Sequence, residues 1–223
     1  MNTHKAILVV VTGHGQLPNQ HQTGLWFEEY AVPVSLFRAN GNAVTVASIH
    51  GGEAPIDPGS LPEQPDADAR AALDDLQHTR PLSEVNLAEF DAVFFPGGHG
   101  TMFDLPASDQ VSQTIVTFLE SGRVVGAVCH GPAALVGARY RDGTPVVKGK
   151  KLTSFTNEEE RAAELDEVVP FLLQSRLHEL GAEFVPSPNW QDNVVVDGKL
   201  ITGQNPQSSA STAKAILQAV AAQ

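Results

Sequence analysis

Apolar positions in this chain come in short blocks separated by stretches with helical spacing. Ala6 to Val11 is an unbroken apolar run of strand length, and Ala43 to Ile49 is a β-branched strand. Ala92 to Phe95 is a third, stopped at once by Pro96-Gly97-Gly98. Between Ser108 and Glu120, Val111, Ile115, Val116 and Leu119 recur at helical spacing; Gly122 ends that helix, and Val124 to Val128 form the next strand. A later helix is predicted from about Glu167 to Leu180, closed by Gly181. Asn193–Val196 and Leu200–Thr202 read as a hairpin turned by Asp197-Gly198, and a last helix runs from about Ser208 to the C-terminus. The Pro/Gly-rich stretch from Gly51 to Pro65 reads as structureless. Strands that are apolar on both faces and alternate with helices require a mostly parallel sheet covered on both sides, with the ligand crevice at the strand ends. No repeat and no second core is visible, so residues 1–223 read as one α/β domain.

Composition narrows the function classes. The 223 residues are 42% hydrophobic, which suits a buried core. No apolar run approaches the ~20 residues needed to span a bilayer. The N-terminal run passes directly into Gly13-His14-Gly15 without a small-residue cleavage site, so it reads as a strand and not a signal peptide. Net charge is −12, from 14 basic and 26 acidic residues, and no basic cluster offsets it. Nucleic acid and anionic membrane are therefore not expected as partners. The single cysteine excludes an internal disulfide and any Cys-x-x-Cys motif, which fits a reducing, cytoplasmic location. His14 and His21 share a loop but lack tight ligand spacing, so they read as surface histidines and not as a metal site.

The chemistry concentrates in Val124-Val-Gly-Ala-Val-Cys-His-Gly-Pro-Ala-Ala-Leu135. A buried strand delivers Cys129 onto a tight turn flanked by small residues, a nucleophile elbow, and a helix is expected after Gly131-Pro132. A helix N-terminus there would favour the thiolate, and neighbouring N–H groups could receive an oxyanion. His130 is the base candidate, although sequence neighbours usually point apart. The glycine turn of Phe94-Phe-Pro-Gly-Gly-His-Gly100 exposes backbone N–H groups at the end of an adjacent strand. In Thr23-Gly-Leu-Trp-Phe-Glu-Glu-Tyr-Ala-Val-Pro33 the apolar residues Trp26, Phe27, Tyr30, Val34 and Phe37 make a helix that contains Glu28 and Glu29. Consecutive residues project about 100° apart, so one carboxyl is expected to point inward with a raised pKa. In Lys151-Leu-Thr-Ser-Phe-Thr-Asn-Glu-Glu-Glu160, Thr156 or Asn157 can cap a helix whose first turn carries acids, one of which could orient His130.

Together PGGHG, AVCHGPAAL, KLTSFTNEEE and DGKLITGQNPQSS resemble the PfpI-type superfamily, which includes the parkinsonism-associated deglycase and lies close to class I glutamine amidotransferases. TGLWFEEYAVP is similar to its heat-shock-chaperone-like glyoxalase III branch. The resemblance spans the chain from first strand to last helix. It implies a flavodoxin-like three-layer sandwich, usually homodimeric, with Cys129 as nucleophile, His130 beside it, Glu29 as catalytic acid and Glu160 supporting the histidine; Glu159 is the neighbouring alternative. It places the oxyanion at the N–H groups of Gly98 and His130, and His99 and Trp190 in the substrate pocket. The implied activity is conversion of the small aldehyde methylglyoxal to lactate without glutathione and without a cofactor, with protein deglycase activity as a further possibility.

Other readings stand beside this one. A glutaminase would need a separate His-x-Glu dyad, and the only histidine after residue 140 is His178. A cysteine peptidase ranks lower for want of an isolated His/Asp pair. A stress-related holdase chaperone or a cysteine redox sensor is compatible with the same thiol.

Overall fold

The computed structural model describes residues 5–223; residues 1–4, the start of the segment read as a strand and not a signal peptide, lie outside the described residues. Strand β1 (Ala6–Val11) pairs in parallel on one side with β2 (Ala43–Ser48) and on the other with β4 (Ala92–Phe95). The short β3 (Arg80–Pro81) extends β2, β5 (Val124–Val128) follows β4, and β9 (Leu200–Gly203) follows β5, all parallel. Only the edge strand β8 (Val194–Asp197) runs antiparallel, giving the order β3-β2-β1-β4-β5-β9-β8. A separate parallel pair joins β6 (Lys151–Leu152) to β7 (Glu183–Phe184).

The apolar pattern explains the layers. Alternate residues of a strand face opposite sides. Leu8 and Val10 of β1, with Val93, Phe95, Val125 and Ala127, pack against Val111, Ile115 and Phe118 of α4 (Asp109–Glu120). Ile7, Val9 and Val11, with Phe94 and Val128, face Tyr30, Val34 and Phe37 of α1 (Phe27–Ala39), Leu76 of α2 (Ala67–Gln77) and Ile216 of α7 (Ser209–Ala221). The expected sandwich, with helices on both faces of a mostly parallel sheet, is what forms. Among the described residues no helix is long and apolar enough to cross a membrane.

Three local expectations change. The helix expected over 167–180 shrinks to α6 (Leu173–Glu179). Pro170 has no N–H to donate and disfavours helical geometry in the residue before it, so the chain ahead of α6 runs through turns. The hairpin turn falls on Gly198-Lys199, one position later than expected, because Asp197 still pairs with Leu200. Gly198 supplies the left-handed conformation there (φ 60°). Finally, the Gly51–Pro65 segment lacks regular strands but is not loose. The Leu25 N–H donates to the Pro55 carbonyl, Asp57 N–H to Leu25, and Phe27 N–H to the Ser60 hydroxyl. These bonds fix the entry to α1 and, through it, the two glutamates of its first turn.

The chain leaves β5 into Cys129 and reaches Gly131 beneath the end of β4. A methyl group on Gly131 would run into the Phe95 carbonyl oxygen, a backbone atom that cannot swing aside. Gly131→Ala should therefore cost about 1–3 kcal/mol, seen as a lower urea midpoint with an unchanged slope. An unshifted midpoint would mean the turn has room that the packing denies.

Candidate functional site

Cys129 sits in the left-handed region (φ 58°), which a residue with a side chain enters only under constraint. Two long-range bonds impose it. The Cys129 N–H donates to the Gly203 carbonyl of β9 at 3.0 Å, and the Cys129 carbonyl accepts from Phe155 N–H at 2.9 Å. The elbow expected from the sequence is present, but the helix after it is not. In place of an α-helix, Gly131–Leu135 form a five-residue 3₁₀ helix, too short to offer the sulfur a long dipole.

The expected lowering of the thiol's pKa is thus overturned. Burial pushes Cys129 well above its ordinary value, and the Glu29 and Glu160 carboxyls push the same way, against the His130 backbone N–H. The resting group is a thiol. It is 3% exposed, yet it lines a cavity of about 120 Å³ together with Trp26, Glu29, His99, Phe155 and Trp190. A roomier groove of about 610 Å³ runs past Leu36, Pro62 and Lys214, and Cys129 does not line it.

His130 follows Cys129 directly and still reaches it, with Nδ1 at 3.3 Å from Sγ. The left-handed turn swings both side chains to one side. Nε2 lies 2.8 Å from Glu160 Oε2, and because a carboxylate only accepts, Nε2 carries the proton and Nδ1 is left as the acceptor facing sulfur. Burial, and then His99, lowers the His130 pKa, while Glu160 opposes them; the ring is neutral at neutral pH. Burial pushes Glu160 up, but His130 and His99 together outweigh it and hold its carboxylate well below the usual range.

Of the two adjacent acids on α5 (Asn157–Ala162), Glu160 meets the histidines and Glu159 does not. Glu159 closes a capping box with Thr156, and its other oxygen accepts from Trp190 N–H, Gln204 and Asn205. Thr156, not Asn157, is the N-cap.

On α1, Glu28 is exposed and Glu29 is fully buried, so it is Glu29 whose carboxyl points inward. Its Oε2 accepts from Gly97 N–H at 2.8 Å; for Oε1 no partner meets hydrogen-bond geometry among the described residues. Glu29 and Cys129 are nonetheless close enough to perturb one another. Burial raises the Glu29 pKa from 4.5 to about 8, against the smaller effects of Cys129 and Gly97, so the carboxyl is protonated at neutral pH.

The N–H of Gly98, at the end of β4, has no acceptor among the described residues, and Gly98 itself has φ 99° and packs against Gly24 and Trp26 too closely for a side chain. Gly98 lines the same cavity as Cys129, and the His130 N–H is directed at the sulfur. His99 lies in the cavity wall, 2.7 Å from Glu160 Oε1. Trp190 is at the rim, 43% exposed, its ring 5.6 Å from Phe155. Phe155 was missed as a site residue: its ring lies 4.4 Å from His130. An aromatic next to a helix cap was the only available signal. His99, His130 and Glu160 are also the one set of three side chains among the described residues that could close on a metal ion, but both carboxylate oxygens are already taken up by the imidazoles.

The profile of the DJ-1/PfpI family matches residues 24–219. A glutathione-independent glyoxalase of Schizosaccharomyces pombe is 33% identical, with 96% of this chain and 95% of that protein covered. Among solved structures, the Rapid Encystment Protein 24 KDa of Francisella tularensis is 36% identical with a TM-score of 0.93, covering 97% of this chain and 99% of that one. Glyoxalase III of Candida albicans is 26% identical with a TM-score of 0.86, covering 96% and 97%.

A raised Glu29 pKa has a thermodynamic consequence. Between pH 4.5 and about 8 the unfolded chain releases a proton that the folded chain keeps, so stability falls as pH rises through that window and the loss is complete above it. Glu29→Gln lacks this dependence. Denaturation at the two ends of the window should show wild type losing on the order of a few kcal/mol relative to the variant; parallel curves would mean that Glu29 ionises normally.

Proposed function

The chain belongs to the DJ-1/PfpI family, and from that premise and the site geometry we propose that it is a glutathione-independent glyoxalase that converts methylglyoxal to lactate on Cys129. One observation carries the reading: a buried, protonated Glu29 faces a buried thiol with its own neutral base, across a cavity that holds only a small molecule. The same size disfavours a peptide substrate. That relatives over nearly the whole chain bear the glyoxalase name adds support.

The chemistry balances without a cofactor. Sulfur bonds to the aldehyde carbon as the thiol proton passes to His130 Nδ1 and the Glu29 proton passes to the aldehyde oxygen, whose developing charge meets the N–H groups of Gly98 and His130. Glu29, now a carboxylate, takes the hydrogen from that carbon, and the His130 imidazolium protonates the neighbouring ketone oxygen, giving an enediol. Glu29 returns its proton to the neighbouring carbon while His130 takes the proton from the hydroxyl on the sulfur-bearing carbon. The product of this internal hydrogen shift is the lactoyl thioester. Water then adds to the thioester, giving one proton to Glu29, and sulfur leaves with the proton of His130. Both acids and the thiol are back in their resting states. Throughout, Glu160 holds the imidazole in the tautomer that presents Nδ1 to sulfur.

The direct test is lactate formation from methylglyoxal in the absence of glutathione. Cys129→Ser should abolish it, and Glu29→Gln should lower kcat about 10²–10⁴-fold with a much smaller change in KM. Wild-type turnover no higher than that of Cys129→Ser would sink the reading and return the protein to the chaperone alternative.

A further inference from the structure

The Glu160 carboxylate serves two imidazoles. Oε2 accepts from His130 at 2.8 Å and Oε1 from His99 at 2.7 Å, and the two rings lie 4.1 Å apart. His130 comes from the elbow after β5, His99 from the glycine turn after β4, and Glu160 from the first turn of α5, so three separate segments converge on one charge. His130 and Glu160 are sealed, with 1% and 2% of their side chains exposed, whereas His99 keeps 12% and lines the cavity.

We propose that His99 is a positioning residue for His130: by occupying Oε1 it divides the Glu160 charge, leaves His130 one oxygen, and so keeps the imidazole beside the thiol neutral and turned with Nδ1 toward sulfur. The consequence for turnover rests on the glyoxalase reading; the electrostatic arrangement does not. A carboxylate that already accepts a hydrogen bond is a poorer partner for a second positive charge, and one carboxylate can neutralise only one imidazolium. Two rings at 4.1 Å therefore compete for it. The other ionisable groups around His130 are Cys129 on the same turn, Glu159 and Glu160 on α5, and Glu29 of α1 across the thiol. Glu29 is protonated at neutral pH, and Glu159 is committed to its capping box and to Trp190, Gln204 and Asn205, which leaves His99 and Glu160 as the pair that sets the His130 charge. Burial and His99 act in the same direction on His130, against Glu160. Without His99 the undivided carboxylate would draw a proton onto His130, and a protonated His130 cannot take one from the thiol.

The decisive measurement is the titration of His130 followed by NMR on protein labelled with ¹⁵N at histidine. His99→Leu should raise the His130 midpoint by about one pH unit, with the acid limb of kcat/KM moving up by the same amount. His99→Gln, which keeps an N–H donor for Oε1, should recover at least half of both displacements. Should the leucine variant lose its native near-UV circular dichroism, His99→Ala reads the same quantity. A midpoint that stays in place in a folded His99 variant overturns the proposal, as does a glutamine variant indistinguishable from leucine. The titration needs no substrate, so absent glyoxalase turnover would sink the functional reading alone, and an unmoved midpoint in an active enzyme would sink this one alone.

Discussion

A cysteine in the left-handed region is costly, by roughly 1–3 kcal/mol, and here the cost is met by main-chain bonds to two distant segments. The Gly203 carbonyl at the end of β9 and the Phe155 N–H ahead of α5 clamp the two backbone groups of Cys129. These contacts hold the chain in a turn that would otherwise relax toward extended geometry. They also bring to the sulfur the segments that carry its partners. Phe155 leads through Thr156 into the helix bearing Glu160, and Gly203 leads through Gln204 and Asn205 to Pro206 in the cavity wall. The nucleophile is thus placed by the completed sheet, and no local stretch around residue 129 could hold it alone.

Burial then decides the charges. It penalises the charged form of both the thiol and Glu29, and among the described residues neither has a cation beside it, so both remain protonated at rest. Glu160 is different: two imidazole N–H groups solvate it, and it carries the one negative charge of the centre. A neutral acid, a neutral thiol and a neutral base is a poor arrangement for a permanently reactive thiolate. It suits a reaction in which sulfur is deprotonated only as it attacks and each proton has a place to return to.

Much of this was legible in the sequence, for physical reasons that differ by residue. Strand runs such as Ala6–Val11 and Ala92–Phe95 are apolar on both faces because both faces are covered, and such runs appear at their true boundaries. Glu29 was recognisable as one of two acids in an apolar helix; which of the two pointed inward depended on the start of that helix, set by the Ser60 hydroxyl far along the chain. The thiol pKa was misjudged because a Gly-Pro after a cysteine reads as a helix start, whereas its environment depends on how many turns follow and on what is packed over them. The helix expected over 167–180 failed on Pro170, a signal that was present and outweighed by periodicity. The resemblance put His99 in the substrate pocket, but its link to Glu160 was not legible, since that link spans 61 positions.

The run Glu158-Glu159-Glu160 shows how cap chemistry can select a functional residue. The Thr156 hydroxyl accepts from Glu159 N–H, and the Glu159 carboxylate bonds back to the Thr156 N–H, which fixes the first turn of α5 to the residue. Once that phase is set, residues 159 and 160 must diverge by about 100°. Glu159 is committed to the backbone of Trp190 and to the amides of Gln204 and Asn205, while Glu160 is delivered to the two histidines. A cap one residue earlier would put Glu159 in the position that meets His130, and a cap one residue later would put Arg161 there. The identity of the acid that orients His130 is therefore not a property of that acid, which its neighbour shares, but of the threonine four positions before it.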